Sequence, residues 1–208
     1  MSNIKETFQF YNDLVKPLYC EIEAENNELP VELLFEIHAA FDHLKRFFLE
    51  EEKEDISCEK AISHLKRGAL DTFKLKLKNY NTELQQLLKS NIDFEIIDSG
   101  NFYPELLSKR KEIVKKAKEA RLLESNKDKD KAFDTWTEVS LLIDDFKDNY
   151  FDGNKIDWAK KKTKRIFRKE IIISFLIGLT TGIIILIIDK IDLITKIISF
   201  LKPILTKN

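Results

Sequence analysis

The sequence has few of the residues that interrupt or cross-link a fold: among 208 residues there are five glycines, four prolines and two cysteines. The two cysteines, Cys20 and Cys58, have no paired spacing. So few glycines and prolines exclude a glycine- or proline-rich repetitive chain, and a Cys20–Cys58 disulfide is an alternative that a cytosolic location disfavours. The first residues also lack the basic and apolar regions of a signal peptide, so we expect a cytosolic body with reduced thiols.

Motifs of common catalytic chemistry are also absent. The sequence has no P-loop, no G-x-G-x-x-G turn, no G-x-S-x-G elbow and no H-E-x-x-H pair. Two of its three histidines, His38 and His43, are five residues apart, which is about 140° around a helix and unsuited to a shared metal ion. The sequence therefore predicts no metal site, no cofactor and no recognisable catalytic residue.

Charge is distributed unevenly along the chain, although the formal net charge is only -1. Residues 1–150 contain 23 basic and 31 acidic residues, a net charge of −8, and residues 151–208 contain 12 basic and 5 acidic residues, a net charge of +7. Such a split indicates two parts of different character, an acidic body and a basic C-terminal part.

The acidic body is predicted to be all-α. Apolar residues recur at spacings of three and four in five stretches, a pattern typical of amphipathic helices that pack as an antiparallel bundle. The predicted helices cover residues 2–24, 30–52, 56–80, 104–124 and 132–150, and Pro17 is expected to bend the first one. In the less regular stretch 82–98, residues 82–90 are predicted to form one or two helical turns, and the residues after them are predicted to be irregular, with a short strand as the alternative.

The same periodicity predicts which side of each helix faces the core. In the second helix the predicted inner residues are Leu34, Ile37, Phe41, Leu44 and Phe48. In the fifth they are Phe133, Trp136, Val139, Ile143, Phe146 and Tyr150. The lysines of the third helix, Lys74, Lys76 and Lys78, are expected to point mostly outward.

Residues 171–188 are eighteen consecutive uncharged residues, here named the apolar segment. At about 1.5 Å per residue they span about 27 Å, close to the hydrocarbon thickness of a bilayer. A basic cluster, here named the basic segment, precedes them and is expected to contact anionic headgroups: Lys160, Lys161, Lys162, Lys164, Arg165, Arg168 and Lys169. A buried core helix is the alternative for the apolar segment, which an apolar surface on every side disfavours. A nucleic-acid site is the alternative for the basic segment, which the adjacent apolar segment disfavours.

The distribution of lysine and arginine predicts the orientation of this segment. Eight basic residues precede it from residue 155 onward and four follow it, so the positive-inside rule places the body in the cytoplasm of a single-pass protein of the cell inner membrane. The predicted domains are a body over residues 1–150, a basic juxtamembrane linker over 151–169, a transmembrane helix over 170–189 and an amphipathic tail over 190–208.

Small residues on the predicted transmembrane helix indicate self-association. Ser174, Gly178 and Gly182 are spaced by four, which leaves one face almost without side chains, so that a second helix can approach closely. The alternative is that glycine is simply common in membrane helices. The tail is too charged to cross the bilayer and is predicted to lie flat in the far interface, the alternative being that it lines an opening in an oligomer.

A repeated H-L-K-R sequence marks a candidate polar groove on the body. It occurs at His43–Arg46 and at His64–Arg67. In antiparallel neighbouring helices these residues would gather with Asp42 and Asp71, and such a groove suits an anion, a nucleotide or RNA. The alternative is that these side chains are solvated or paired with one another.

This combination of histidine-bearing helices, roughly over residues 30–80, with a single membrane anchor resembles HEPN-like helical proteins and the small membrane-anchored effectors of bacterial anti-phage systems. HEPN members that cut RNA carry an arginine four to six residues before a histidine, and this sequence has no arginine at that spacing. The resemblance therefore implies a non-catalytic member, whose body binds a protein or nucleic-acid ligand and whose membrane part acts. A membrane-tethered ribonuclease and a passive tether are the alternatives.

Overall fold

The computed structural model describes residues 2–151 and 153–205, with side chains described as far as Ile191. Helices dominate, and these residues contain no strand, so the predicted all-α class is confirmed. The elements are α1 (Ile4–Phe10), a π-helical turn (Tyr11–Val15), α2 (Lys16–Asn26), α3 (Val31–Leu49), α4 (Glu54–Lys89), α5 (Phe102–Ser125), α6 (Lys129–Tyr150) and α7 (Gly153–Leu205). Two 3-10 turns, Phe94–Ile96 and Asp98–Gly100, connect α4 to α5.

The π-helical turn stands immediately before Pro17. Proline has no N–H, so Pro17 cannot donate the usual helical hydrogen bond to the carbonyl of Asp13. The helix widens there, and Lys16 N–H instead donates to the carbonyl of Tyr11. The expected disturbance of the first helix at Pro17 is therefore a local change of helix type.

The body, residues 2–90 and 94–151, is one compact unit whose longest helix, α4, lies at its centre. α4 packs against α3 on one side and α6 on the other, while α5 packs against α6. The six predicted inner residues of α6 are all buried, and Trp136, Ile143 and Phe146 have no exposed surface. Burying a large apolar side chain stabilises the fold by about 1.5–3 kcal/mol, so this stripe fixes α6 between its neighbours.

The end of α4 differs from the prediction. The helix continues to Lys89, so the helical turns predicted for residues 82–90 continue the third predicted helix without a break at residue 80. Leu84 is buried and follows Leu77 and Tyr80 at spacings of three and four, and it therefore extends the inner stripe by another turn. Tyr80 packs edge-on against Phe146 of α6, with ring centroids 5.0 Å apart.

The inward face of α3 also differs from the prediction. Phe41 and Phe48 are 51% and 62% exposed, whereas Leu33, Ala40 and Leu44 are buried. α4 approaches α3 closely at Gly68, where an added Cβ would lie 2.7 Å from Leu33 Cδ1. α3 buries Leu33, Ala40 and Leu44 in one cluster with side chains of α4, so its inner stripe runs one position before the predicted Phe41.

Lys76 is the largest departure from the expected pattern. It was predicted to point outward with its neighbours on α4, but its side chain is 0% exposed. Its Nζ lies 2.5 Å from Asp144 Oδ1 on α6 and forms a second ion pair with Glu21 on α2. A buried ammonium needs such partners, because water no longer solvates it.

The second unit contains residues 91–93 and, apart from its first residue, α7. From Gly153 to Leu205, the predicted juxtamembrane linker, the apolar segment and the start of the tail share one helical backbone. The two-faced character predicted for the tail depends on side chains from Asp192 onward, which lie outside the described residues. The domain boundaries within α7 stay predictions.

Candidate functional site

The apolar segment of α7 has the properties of a membrane span. The large apolar side chains from Ile171 to Ile188 are all exposed, and none of the most apolar window is buried within the protein. A core helix of similar composition would be covered by its neighbours. Among the described residues, α7 is the one helix long and apolar enough to cross a membrane.

The basic segment comes immediately before this span. Its seven cations are all exposed and lie within ten residues, about 15 Å of helix. Lys162 Nζ lies 4.6 Å from the ring centroid of Trp158, which is itself half-exposed. Cations beside a half-exposed indole are typical of the headgroup region of a membrane.

The small-residue face of the span is open in the protein. A Cβ added at Gly178 or Gly182 would meet no atom within 4 Å, and Ser174 is exposed. The neighbouring hydroxyls of Thr180 and Thr181 both donate to the carbonyl of Ile177, at 2.9 Å and 2.8 Å. These hydroxyls therefore have partners in the helix itself and do not need water.

The candidate polar groove of the body forms in part at the contact between α3 and α4. The rings of His43 and His64 are stacked, with their centroids 5.2 Å apart. His64 Nδ1 lies 2.6 Å from Glu36 Oε2, and because an ionised carboxylate only accepts hydrogen bonds, Nδ1 carries the hydrogen and donates it. Arg67 Nη1 lies 3.5 Å from the other oxygen of Glu36.

The remaining predicted groove residues are occupied by local ion pairs. Arg46 Nη2 lies 3.1 Å from Asp42 Oδ2, and Asp71 Oδ1 lies 3.4 Å from Lys74 Nζ. Arg46 and Asp42 are therefore paired with each other, whereas Asp71 is paired with a lysine outside the predicted set.

Glu36 is the groove residue that the sequence prediction missed. It stands seven residues before His43, which places both on the same side of α3. This seven-residue spacing was the sequence signal that could have identified Glu36 as a groove residue. It identifies the partner of Glu36 only once the position of α4 is known.

Burial sets the electrostatics of this groove. Burial of the ring is the largest cause that lowers the pKa of His43. The charges of His64, Arg46 and Lys60 lower this pKa further, whereas the Glu52 carboxylate raises it. The Nδ1 atom of His43 is buried and has no hydrogen-bond partner in the protein. His43 is therefore a neutral imidazole at neutral pH, next to a histidine oriented by a carboxylate. No three His, Cys, Asp or Glu side chains within the described part of the chain form a group suited to a metal ion.

Comparison with known proteins adds no relative: no protein-family model matches the chain, and neither a curated protein nor a solved structure matches it.

Proposed function

We propose that the protein is a membrane-anchored helical interaction protein, held in the cell inner membrane by a single pass of α7. The observation that carries the proposal is the apolar segment, exposed along its whole length, which begins two residues after the last of seven exposed cations. In water, eighteen such residues would form an apolar surface far larger than soluble proteins tolerate. In a bilayer the same surface is solvated by lipid and the cations contact anionic headgroups.

The body then lies in the cytoplasm. Eight basic residues precede the apolar segment within the adjacent part of the chain, against four after it. Lysine and arginine near a span are retained on the cytoplasmic side, and the larger number decides the orientation.

Self-association in the membrane takes place through Ser174, Gly178 and Gly182. Support comes from the absence of any atom near the two glycines and from the three positions sharing one face of the helix. The body supplies an example of the same packing principle, since Gly68 brings α4 close to α3.

Two features suit a bacterial defence effector that disturbs the membrane once it is triggered. One is assembly in the membrane, and the other is a body that binds a cytosolic protein or a nucleic-acid ligand. The resemblance to HEPN-like membrane-anchored effectors supports this finer proposal. A passive tether differs from it in leaving the membrane potential unchanged when the full chain is expressed.

The experiment that tests the proposal replaces Gly178→Ile and Gly182→Ile together in the full chain. The added side chains should prevent close helix approach, so we expect the oligomer in mild detergent to dissociate. Thr180→Ile adds bulk on the opposite side of the helix and is the matched control. An unchanged assembly of the glycine variant would contradict self-association through this face, and recovery of the intact chain in the aqueous fraction of a flotation assay would contradict anchoring.

RNA cleavage is a second candidate function, favoured by the stacking of His43 on His64. A neutral His43 would accept the proton of a ribose 2′-hydroxyl, and His64, oriented by Glu36, would be the second acid–base group. The test is RNA degradation by the purified full chain, which His64→Ala should abolish. Degradation that persists in His64→Ala would assign it to a contaminating nuclease.

A further inference from the structure

The five cations on the exposed side of α5 form a face of one charge sign. At about 100° per residue they lie within about 140° of the helix circumference. They are Arg110, Lys111, Lys115, Lys118 and Arg121. The four glutamates of α5, at positions 105, 112, 119 and 124, all fall outside this arc. We name this arc the basic face of α5.

Lysines on α5 differ in their partners according to the side they occupy. Outside the basic face, Lys109 pairs with Glu112 and Asp145, and Lys116 pairs with Glu119 and Glu138. Within the described part of the chain, no ion pair involves Lys111, Lys115 or Lys118 on the basic face. The fold therefore neutralises the lysines on one side of α5 and leaves the others available to a partner.

Exposed apolar side chains lie among these cations. Leu107, Val114 and Leu122 are 36%, 48% and 55% exposed, and Tyr103 is also exposed. On the helix circumference they occupy the same arc as the cations. A helical surface that combines lysine, arginine and aliphatic side chains without carboxylates fits the interface of an anionic membrane.

We propose that the basic face of α5 docks the body onto the anionic leaflet of the membrane that α7 spans. The proposal rests on the proposed anchoring, because the anchor supplies the membrane at high local concentration. A contact too weak to recruit a free protein is then sufficient. RNA would satisfy the cations but not the aliphatic side chains between them, which a membrane interface accommodates.

Docking of this kind is reversible. Salt screens charges that face water, so the docked state weakens as ionic strength rises. A ligand that covers α5, or a loss of anionic lipid, would release the body in the same way.

The experiment follows an environment-sensitive fluorophore on Val114→Cys in the full chain, in a Cys20→Ser background. Buried Cys58 should not react with the dye. The labelled protein is reconstituted into vesicles of phosphatidylcholine alone or of phosphatidylcholine with phosphatidylglycerol. We expect a blue shift of the emission in the anionic vesicles only, and its loss at high salt.

Two triple variants distinguish the effect of the basic face of α5 from the effect of the net charge of the protein. Lys111→Gln, Lys115→Gln and Lys118→Gln together should lower the docking constant about a hundredfold, since each cation near an anionic surface contributes about fivefold. Lys5→Gln, Lys16→Gln and Lys78→Gln change the net charge equally at exposed positions elsewhere and should preserve the shift.

Three outcomes would overturn the proposal. The first is the same emission in both kinds of vesicle. The second is a loss of the blue shift in the control triple variant as large as that in the triple variant of the basic face. The third is a blue shift produced by an RNA oligonucleotide but not by anionic lipid. Failure of the chain to float with the vesicles would refute the anchoring as well, whereas floating without a shift refutes docking alone.

Discussion

His43 stacks on His64 where α3 meets α4, with the two ring planes inclined by only 28°. Arg46 on α3, Lys60 on α4 and Glu52 between the helices also act on His43, and burial is the largest cause of its lowered pKa. Below about pH 6.5, His43 is protonated in the unfolded chain but stays neutral in the folded protein until the pH reaches its lowered pKa. The free energy of unfolding is therefore predicted to fall as the pH decreases from about 6.5 toward the lowered pKa.

His43→Gln tests this dependence, because glutamine does not titrate. The variant should lose less stability than the wild type between pH 7 and pH 5, measured by thermal unfolding of the full chain in detergent with tryptophan fluorescence. His38→Gln removes an exposed histidine from the same helix and is the control for the loss of an imidazole. Equal pH profiles for His43→Gln and the wild type would refute the assignment.

The ion pairs of Lys76 predict an asymmetric response to substitution. Asp144→Asn with Glu21→Gln leaves the buried ammonium unpaired and should cost about 3 kcal/mol or more. Lys76→Met leaves two carboxylates whose side chains are 31% and 42% exposed, so water can solvate them and the cost should be about 1 kcal/mol or less.

Denaturant unfolding of the full chain measures both variants. Lys78→Met, at an exposed position two residues along α4, is the control and should change the stability by less than about 0.5 kcal/mol. A larger loss for Lys76→Met than for the carboxylate double variant would contradict the explanation.

Much of the helical architecture follows from the spacing of apolar residues. The α6 stripe from Phe133 to Tyr150 was predicted in full, because large aromatic side chains at spacings of three and four leave one possible inner face. Periodicity did not identify Phe41 and Phe48 as exposed, since α3 carries apolar residues on more than one side. The buried side of α3 is the one that packs in a cluster with α4, and that contact is not visible in the periodicity of α3.

The groove and the buried lysine show a second limit of sequence reasoning. Periodicity placed His43 and His64 on helices that could meet, but the pairing of His64 with Glu36 depends on the register of α3 against α4. Lys76 was misassigned for a similar reason, because its two carboxylate partners come from α2 and α6. Contacts between distant parts of the chain have no local sequence signal.

Gly68→Ala should weaken the packing of α3 on α4. The added Cβ would lie 2.7 Å from Leu33 Cδ1, and Leu33 is fully buried and cannot move aside easily. Overpacking of this kind costs about 1–3 kcal/mol, while alanine gains up to about 1 kcal/mol in helix propensity. We expect a net loss of about 1 kcal/mol in the free energy of unfolding.

Leu33→Ala provides the second half of a double-mutant cycle. The single substitution should cost about 2–5 kcal/mol by leaving a cavity. In the double variant the Cβ at position 68 has room. The loss of stability in the double variant should therefore be smaller than the sum of the losses in the two single variants. Simple additivity would mean that the contact does not limit the approach of α4.

The two cysteines report the orientation of the body, because one is exposed and the other is buried. Cys58 has no exposed surface, and burial raises the pKa of its thiol, so both access and thiolate formation are unfavourable in the folded protein. A membrane-impermeant maleimide should therefore label Cys20 alone until the body unfolds.

With a cytoplasmic body, intact spheroplasts should give no label on Cys20, and permeabilised spheroplasts should give one label per chain. Lys207→Cys, combined with Cys20→Ser, is the reciprocal reporter and should react in the intact spheroplasts. Labelling of Cys20 in intact spheroplasts would reverse the orientation, and with it the assignment of the basic segment to the cytoplasmic leaflet.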